Sequence, residues 1–275
     1  MKISIIMATY NVASTIKSAM DSVFSQSYPD IELLVADGGS TDGTIEILKN
    51  CKNDRLSWWI SENDSGIYDA WNKALQYVNG DWIIFMGADD ELWSESALAK
   101  FVESASKIDE KYPIIYGKVA QTCSNGDVWN MAGKPWDHTK TTFRYKAQMF
   151  AHQGIFHHRS LFENGNKFDA TFKIAGDYDF LLHVLKNQDA VFLPELIVAK
   201  MQSDGASGGF NNQLLLSELL RARRQNGYNN NNIWVYSLRL RYWLRDLIIK
   251  YLGFNLSKTI NDYLRIMMGK PKLPS

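Results

Sequence analysis

Ile3-Ser4-Ile5-Ile6-Met7-Ala8-Thr9-Tyr10-Asn11 opens the chain as a short apolar run that stops at polar residues. Ile16, Ala19, Met20, Val23 and Phe24 then recur at helical spacing. Ile31-Glu32-Leu33-Leu34-Val35-Ala36 repeats the first pattern and ends in Asp37-Gly38-Gly39-Ser40-Thr41-Asp42-Gly43, a turn-rich segment before a helix through Ile45, Ile47 and Leu48. Leu56-Ser57-Trp58-Trp59-Ile60, the helical stripe Ile67, Ala70, Trp71, Ala74, Leu75 and Val78, and the run Trp82-Ile83-Ile84-Phe85-Met86 continue the alternation. Strands alternating with helices of this length predict βαβ units, an α/β fold with a mostly parallel central sheet and flanking helices.

Beyond residue 110 the pattern loosens. Ile114-Ile115-Tyr116-Gly117 and Val191-Phe192-Leu193 read as strands, Ser124-Asn125-Gly126-Asp127 as a hairpin turn, and Tyr178, Leu181, Leu182 and Leu185 as a helix opening near Asp177. The Gly- and Ser-rich stretch from Ser203 to Gly209 reads as a loop. The run from Asn229 to Asn232 reads as a linker before two helical stretches, 233–252 and 256–268.

The 275 residues carry 30 Lys and Arg against 30 Asp and Glu, with 45% hydrophobic and 22% charged side chains. This composition excludes wholesale disorder, and the neutral balance argues against a nucleic-acid partner. Neutrality hides an asymmetry: residues 1–220 hold 19 basic and 28 acidic side chains, residues 221–275 hold 11 and 2. An acidic body with a basic tail suggests that the tail meets something anionic. With Cys51 and Cys123 the only cysteines, a disulfide framework is excluded and a reducing, cytoplasmic location is expected. The opening run is too short for a signal peptide, and no stretch approaches the ~18 apolar residues of a membrane span.

In a parallel sheet, ligands sit beyond the carboxyl ends of the strands. Three polar clusters fall there: Thr9-Tyr10-Asn11, Asp37 with its glycines, and Ala88-Asp89-Asp90. Each alone could be a helix cap or turn; three at one edge are less bland. Adjacent carboxylates such as Asp89 and Asp90 stay ionised only beside a cation or hydrogen-bond donors, and Mg2+ or Mn2+ would suit them. The dinucleotide fingerprint, the phosphate-binding Walker loop and zinc-type His/Cys spacings are absent.

Four stretches carry a resemblance: Ser4 to Asn11, Asp37 to Thr44, Gly66-Ile67-Tyr68-Asp69-Ala70-Trp71-Asn72-Lys73-Ala74, and Gly80-Asp81-Trp82-Ile83-Ile84-Phe85-Met86-Gly87-Ala88-Asp89-Asp90. In this order they resemble family 2 glycosyltransferases with the GT-A fold, most of all bacterial members that build cell-surface polysaccharides. Ala151-His152-Gln153-Gly154 and Gly176-Asp177-Tyr178-Asp179 extend the likeness more thinly. The resemblance implies that Thr9, Tyr10, Asn11, Asp37 and Asp64 line a nucleotide pocket, that Asp89 holds the metal with Asp90 as second ligand, and that Asp177 is the catalytic base. It implies an inverting, metal-dependent transfer from a nucleotide-sugar donor, UDP-sugars being favoured, to a saccharide or lipid-linked acceptor. His152 and Gln153 are candidates for acceptor or diphosphate contact. Residues 1–228 would form the catalytic domain, with a nucleotide-binding half at 1–100 and an acceptor-binding half at 101–228. Three departures stand out: Gly38, Gly87 and Gly176 replace acids usual in the family's motifs.

For Asp177 the plain alternative is a helix N-cap. His157 and His158 read as surface residues and Trp71, Trp82 and Trp93 as core, while Trp129 and Trp136 could stack on sugar. The tail at 229–275 interleaves Trp234, Tyr236, Leu240, Trp243 and Leu244 with Arg239, Arg241, Arg245 and Lys250. Such a helix either lies on an anionic membrane surface, making the protein peripheral on the cytoplasmic face of the inner membrane, or packs on the domain with its arginines in water. Rival activities are a sugar nucleotidyltransferase, for which a basic glycine-rich loop after the first strand is lacking, and an inactive sugar-nucleotide or saccharide-binding scaffold. The Gln-x-x-Arg-Trp motif of processive synthases is also missing, so a single transfer is expected.

Overall fold

The computed structural model describes residues 1–123, 126–202 and 212–267. The expected βαβ alternation runs β1 (Ile3–Thr9), α1 (Ile16–Phe24), β2 (Ile31–Asp37), α2 (Thr44–Asn50), β3 (Leu56–Ser61), α3 (Ile67–Leu75) and β4 (Trp82–Gly87). Strands β3, β2, β1 and β4 lie side by side and parallel. After β5 (Asp90–Leu92), α4 (Ala97–Ala105), β6 (Ile114–Thr122), β7 (Val128–Ala132), α5 (Trp136–Lys146) and β8 (Ile155–His158), the chain forms α6 (Gly176–Val184), β9 (Val191–Gln202), α7 (Asn212–Gln225) and α8 (Ile233–Met267). The sheet order is β3-β2-β1-β4-β8-β6-β9-β5, with β7 on β6. β8 enters antiparallel between β4 and β6, so the parallel character belongs to the first half and the second half is mixed.

Continuous apolar runs in β1 and β2 follow from burial on both faces. Ile3, Ile5, Met7, Leu33 and Val35 pack toward α1 and α4, whereas Ile6, Leu34 and Ala36 pack toward α3 and α6. The period-2 alternation of side chains thus builds two cores on one sheet. The exception is Glu32, buried within β2. Its carboxylate accepts hydrogen bonds from Ser4 Oγ (2.6 Å) and Asn79 N (2.7 Å) and meets Lys2 Nζ at 2.8 Å. Burial alone would raise its pKa, but these partners hold it below the usual carboxylate range.

The second core is rich in aromatic rings. Phe85 touches Trp71, His152, His157, Phe162 and Phe168 with ring centroids 4.7–5.8 Å apart. The surface expectation for His157 is therefore corrected: it is 0% exposed on β8, beneath Phe85. A basic neighbour in sequence, Arg159, does not outweigh strand alternation, which turns His157 inward and His158 outward. Burial lowers the His157 pKa to about 3, so it is neutral in the fold. Trp71 and Trp82 are buried as expected, but Trp93 is 37% exposed. Trp136 is buried against Phe143 and Phe150, and its indole N–H is used by Asp189 at 2.6 Å, so it is no sugar platform.

Ser124 and Asn125 of the expected hairpin turn lie outside the described residues, as does the stretch from Ser203 to Gly209. β6 and β7 do pair antiparallel around the turn. The two expected C-terminal helices are one continuous α8. Gly253 lies within it, and an interior glycine costs a helix only ~1 kcal/mol, while no proline enforces a break. Among the described residues no helix is long and apolar enough to cross a membrane.

Candidate active site

Register places the carboxyl ends of four strands together. Thr9 is opposite Asp37, Asp37 opposite Ser61, and Ala8 opposite Gly87. Asp37, at the end of β2, is the hub. One carboxylate oxygen accepts from Thr9 Oγ1 (2.9 Å) and Ser40 Oγ (2.5 Å). The other accepts from Ser61 Oγ (2.6 Å), Ser40 N (2.9 Å) and Gly39 N (3.1 Å). Burial would raise its pKa, yet the serine and threonine donors hold it below the usual value, so Asp37 is a fixed anion at this edge. Asn11 ties the neighbouring turns together: its N–H donates to Ser40 Oγ (2.8 Å) and its Oδ1 accepts from Thr41 N (2.9 Å). It does so at φ 52°, a conformation that asparagine tolerates better than most residues. Tyr10 beside it is 65% exposed at the rim.

Asp64 lies under this edge, half-buried, with Gly66 N donating to Oδ1 at 2.9 Å; burial raises its pKa despite that bond. A Cβ at Gly38 would sit 2.8 Å from Asp64 Oδ2. A side chain at position 38 would therefore have to displace the Asp64 carboxylate.

The same crowding holds at the second departure. A Cβ at Gly87 would lie 2.6 Å from Asp89 Oδ1 and 2.9 Å from Asp90 Oδ2. Two carboxylate oxygens thus converge beside the Gly87 backbone, whose N–H donates to Asp90 at 3.1 Å. Burial, then the Asp89 charge, pushes the Asp90 pKa up to about 7, opposed by the Gly87 amide and the Gln153 side chain. Paired carboxylate oxygens are the ligand type that Mg2+ or Mn2+ takes, though among the described residues no cluster of three or more His, Cys, Asp or Glu side chains gathers to hold an ion. His152 is 7% exposed, its ring stacked on Trp71 (centroids 5.2 Å), and burial drives its pKa well below the usual value.

Asp177 stands in the first turn of α6 and is 8% exposed. Tyr68, in the first turn of α3, places its hydroxyl 3.1 Å from Asp177 Oδ1 and 2.6 Å from Ile174 O. A Cβ at Gly176 would meet the Tyr68 ring at 2.8 Å, so the third departure also makes room for a site residue. Burial lifts the Asp177 pKa to about 6, against the Tyr178 N–H and Tyr68 hydroxyl, which favour the charged form. Lys173 Nζ donates to Ser65 O, joining the segment before Asp177 to the segment that carries Asp64. The segment 64–68 thus meets the segment 173–177 twice, through Ser65 with Lys173 and through Tyr68 with Ile174 and Asp177.

Sequence reasoning missed Ser40, Ser61, Tyr68 and Glu218. Tyr68 lay inside a stretch that carried the resemblance, and Ser40 inside the Asp37 turn; either could have been found as a hydroxyl flanking a predicted acid. Glu218 sits alone among leucines in α7 and had no sequence signal.

A family model for glycosyl transferase family 2 matches residues 4–171. The chain belongs to this family. It is accordingly a glycosyltransferase. A PGL/p-HBAD biosynthesis glycosyltransferase of Mycobacterium bovis is 31% identical to this family 2 chain over 226 residues, covering 79% of it and 82% of the relative. A dolichyl N-acetyl-alpha-D-glucosaminyl phosphate 3-beta-D-2,3-diacetamido-2,3-dideoxy-beta-D-glucuronosyltransferase of Methanococcus voltae is 24% identical over 265 residues, 90% of this chain and 81% of that one. Among solved structures, S. aureus TarS 1–349 in complex with UDP-GlcNAc aligns with TM-score 0.61 at 17% identity, over 94% of this chain and 83% of that one. The mannosyltransferase PcManGT from Pyrobaculum calidifontis, in complex with GDP-Man and Mn2+, aligns with TM-score 0.62 at 19% identity, over 89% and 70%. These two likenesses establish the GT-A fold.

Proposed function

We propose that this family 2 glycosyltransferase moves a sugar from a nucleotide-diphosphate donor to a hydroxyl of a saccharide or lipid-linked acceptor, with inversion, in cell-envelope polysaccharide or glycolipid synthesis. The observation that carries this reading is a fixed anion (Asp37) and a carboxylate pair (Asp89 and Asp90) at the carboxyl edge of the parallel strands, with a buried carboxylate (Asp177) hydrogen-bonded to Tyr68 of α3. Thr9, Tyr10, Asn11, Asp37 and Asp64 rim the place for the nucleoside. Asp89 and Asp90 hold a divalent ion, which when bound neutralises the departing diphosphate. Asp177 takes the proton of the attacking hydroxyl, and a single base acting in one direct displacement inverts the anomeric carbon. Donors named for structural neighbours, UDP-GlcNAc and GDP-Man, are the first to try.

A thermal-shift screen of UDP-, GDP- and dTDP-sugars with and without Mn2+ tests donor use. At ~100 times its dissociation constant a ligand contributes ~2.7 kcal/mol, or ~5–10 °C in a domain of this size. The true donor raises the melting temperature in a metal-dependent way; a flat response across all three nucleotides removes this reading.

The tail bears on the acceptor. Val235 and Leu238 are buried, Tyr242 packs on the second core, and Lys146 Nζ lies 4.0 Å over the Trp234 ring, so the first turns of α8 dock on the body. At 3.6 residues per turn, exposed Ile233, Tyr236, Leu240, Trp243, Leu244 and Tyr251 share a stripe about 100° wide on the far side. Arg239 and Lys250 flank one border and Arg241 and Arg245 the other. Wholly basic borders oppose pairing with a second copy and suit an anionic lipid surface. This supports a domain at 1–228 with a membrane-facing tail at 229–275 and a peripheral location on the inner membrane. Sedimentation with phosphatidylglycerol vesicles is expected to fall severalfold for Trp243→Glu with Leu240→Glu; equal sedimentation discards membrane contact.

A further inference from the structure

The segment 173–175 delivers Asp177 into the site, and something must fix it. Ala175 caps α6 without a side-chain hydrogen bond, and of the segment's own side chains Lys173 reaches out to Ser65 O. Glu218 of α7 holds the backbone: Oε1 accepts from Lys173 N (2.8 Å), and Oε2 accepts from Ile174 N (2.8 Å) and Ala175 N (2.9 Å). This carboxylate is 5% exposed and spends both oxygens on three successive amides. On the other side of the same residue pair, the Tyr68 ring fills the space above Gly176, and its hydroxyl bridges Ile174 O and Asp177 Oδ1. A side chain at position 176 would force the Tyr68 ring to shift. The second carboxylate near the base comes instead from a helix more than forty positions later in the chain.

We propose that Glu218 is a positioning residue for Asp177, clamping the 173–175 segment by its backbone and acting with Tyr68 as the opposite jaw. This rests on the reading of Asp177 as the base. The two jaws act on Asp177 with opposite signs. Glu218 places a negative charge near it, which favours the protonated carboxyl; Tyr68 donates to the charged carboxylate, which favours ionisation. These are the charged and titratable groups that face Asp177 from α7 and α3 among the described residues; burial raises its pKa most, and the Tyr178 N–H of α6 opposes that rise.

The test is a carbon-13 carboxyl titration of the full chain, with the Asp177 resonance assigned by its loss in Asp177→Asn. Glu218→Gln is expected to move the Asp177 midpoint down by ~0.5–1 pH unit, and Tyr68→Phe to move it up by a similar amount. The acid limb of UDP release from UDP-GlcNAc, or of GDP release from GDP-mannose, shifts in the same two directions. A midpoint unmoved in both variants, with only the melting temperature lowered, makes Glu218 and Tyr68 structural supports and overturns the proposal. If Glu218→Gln fails to fold, Tyr68→Phe alone decides, an unmoved or lowered midpoint being adverse. Full turnover in Asp177→Asn would instead remove the base reading and leave the titration result standing.

Discussion

Asp177→Asn is expected to lower sugar transfer by ~10²–10⁴-fold while leaving metal-dependent donor binding intact. Asparagine keeps the size of the side chain and an oxygen to accept from Tyr68, so the packing on Gly176 survives; what disappears is the ability to take a proton. The pH dependence carries the same signature. Burial raises the Asp177 pKa to about 6, so the carboxylate is available above that value and lost as pH falls through it. Wild-type turnover should therefore decline below about pH 6, and the residual activity of Asp177→Asn should lack that limb. Steady-state nucleotide release between pH 5 and 8 measures both. A variant with wild-type turnover would take Asp177 out of the chemistry. Wild type and variant equally inert across the donor panel, with nucleotide still bound, would favour the scaffold reading.

Asp89→Ala should abolish the dependence of donor binding on Mn2+ and reduce turnover ~10³-fold, the scale set by several kcal/mol of charge stabilisation at tenfold per 1.36 kcal/mol. Asp89 and Asp90 are unequal partners. Asp90 is buried, hydrogen-bonded to Gly87 N and paired through β5 to β9, so its removal disturbs the fold as well as the site. Asp89 supplies the other convergent oxygen without that structural duty, which makes it the cleaner probe. The readout is the difference in melting temperature with and without Mn2+ at saturating nucleotide sugar. A metal-dependent shift of wild-type size in Asp89→Ala would show that the ion is held elsewhere.

The first half of the molecule was legible because its physics is local. Runs such as Ile3–Met7 and Ile31–Ala36 are buried on both faces, and the polar residues that end them mark the sheet edge where ligands gather. The second half was less legible because its strands borrow partners from far away: β8 is four residues long and exists by slotting between β4 and β6. His157 misled for a related reason, since a histidine's polarity says nothing of the aromatic cluster that encloses it. Glu218 could not be read at all, because its role is set by amides some forty-three to forty-five positions earlier.

Gly38, Gly87 and Gly176 have a consequence for redesign. Each vacated position is matched to a side chain that leans into it: Asp64, the Asp89–Asp90 pair, and Tyr68. Placing an acid at any one of them, a repair toward the motifs that the resemblance implies, forces that neighbour to move. Such repairs would have to be made as coupled exchanges, position 176 together with 68 and position 38 together with 64.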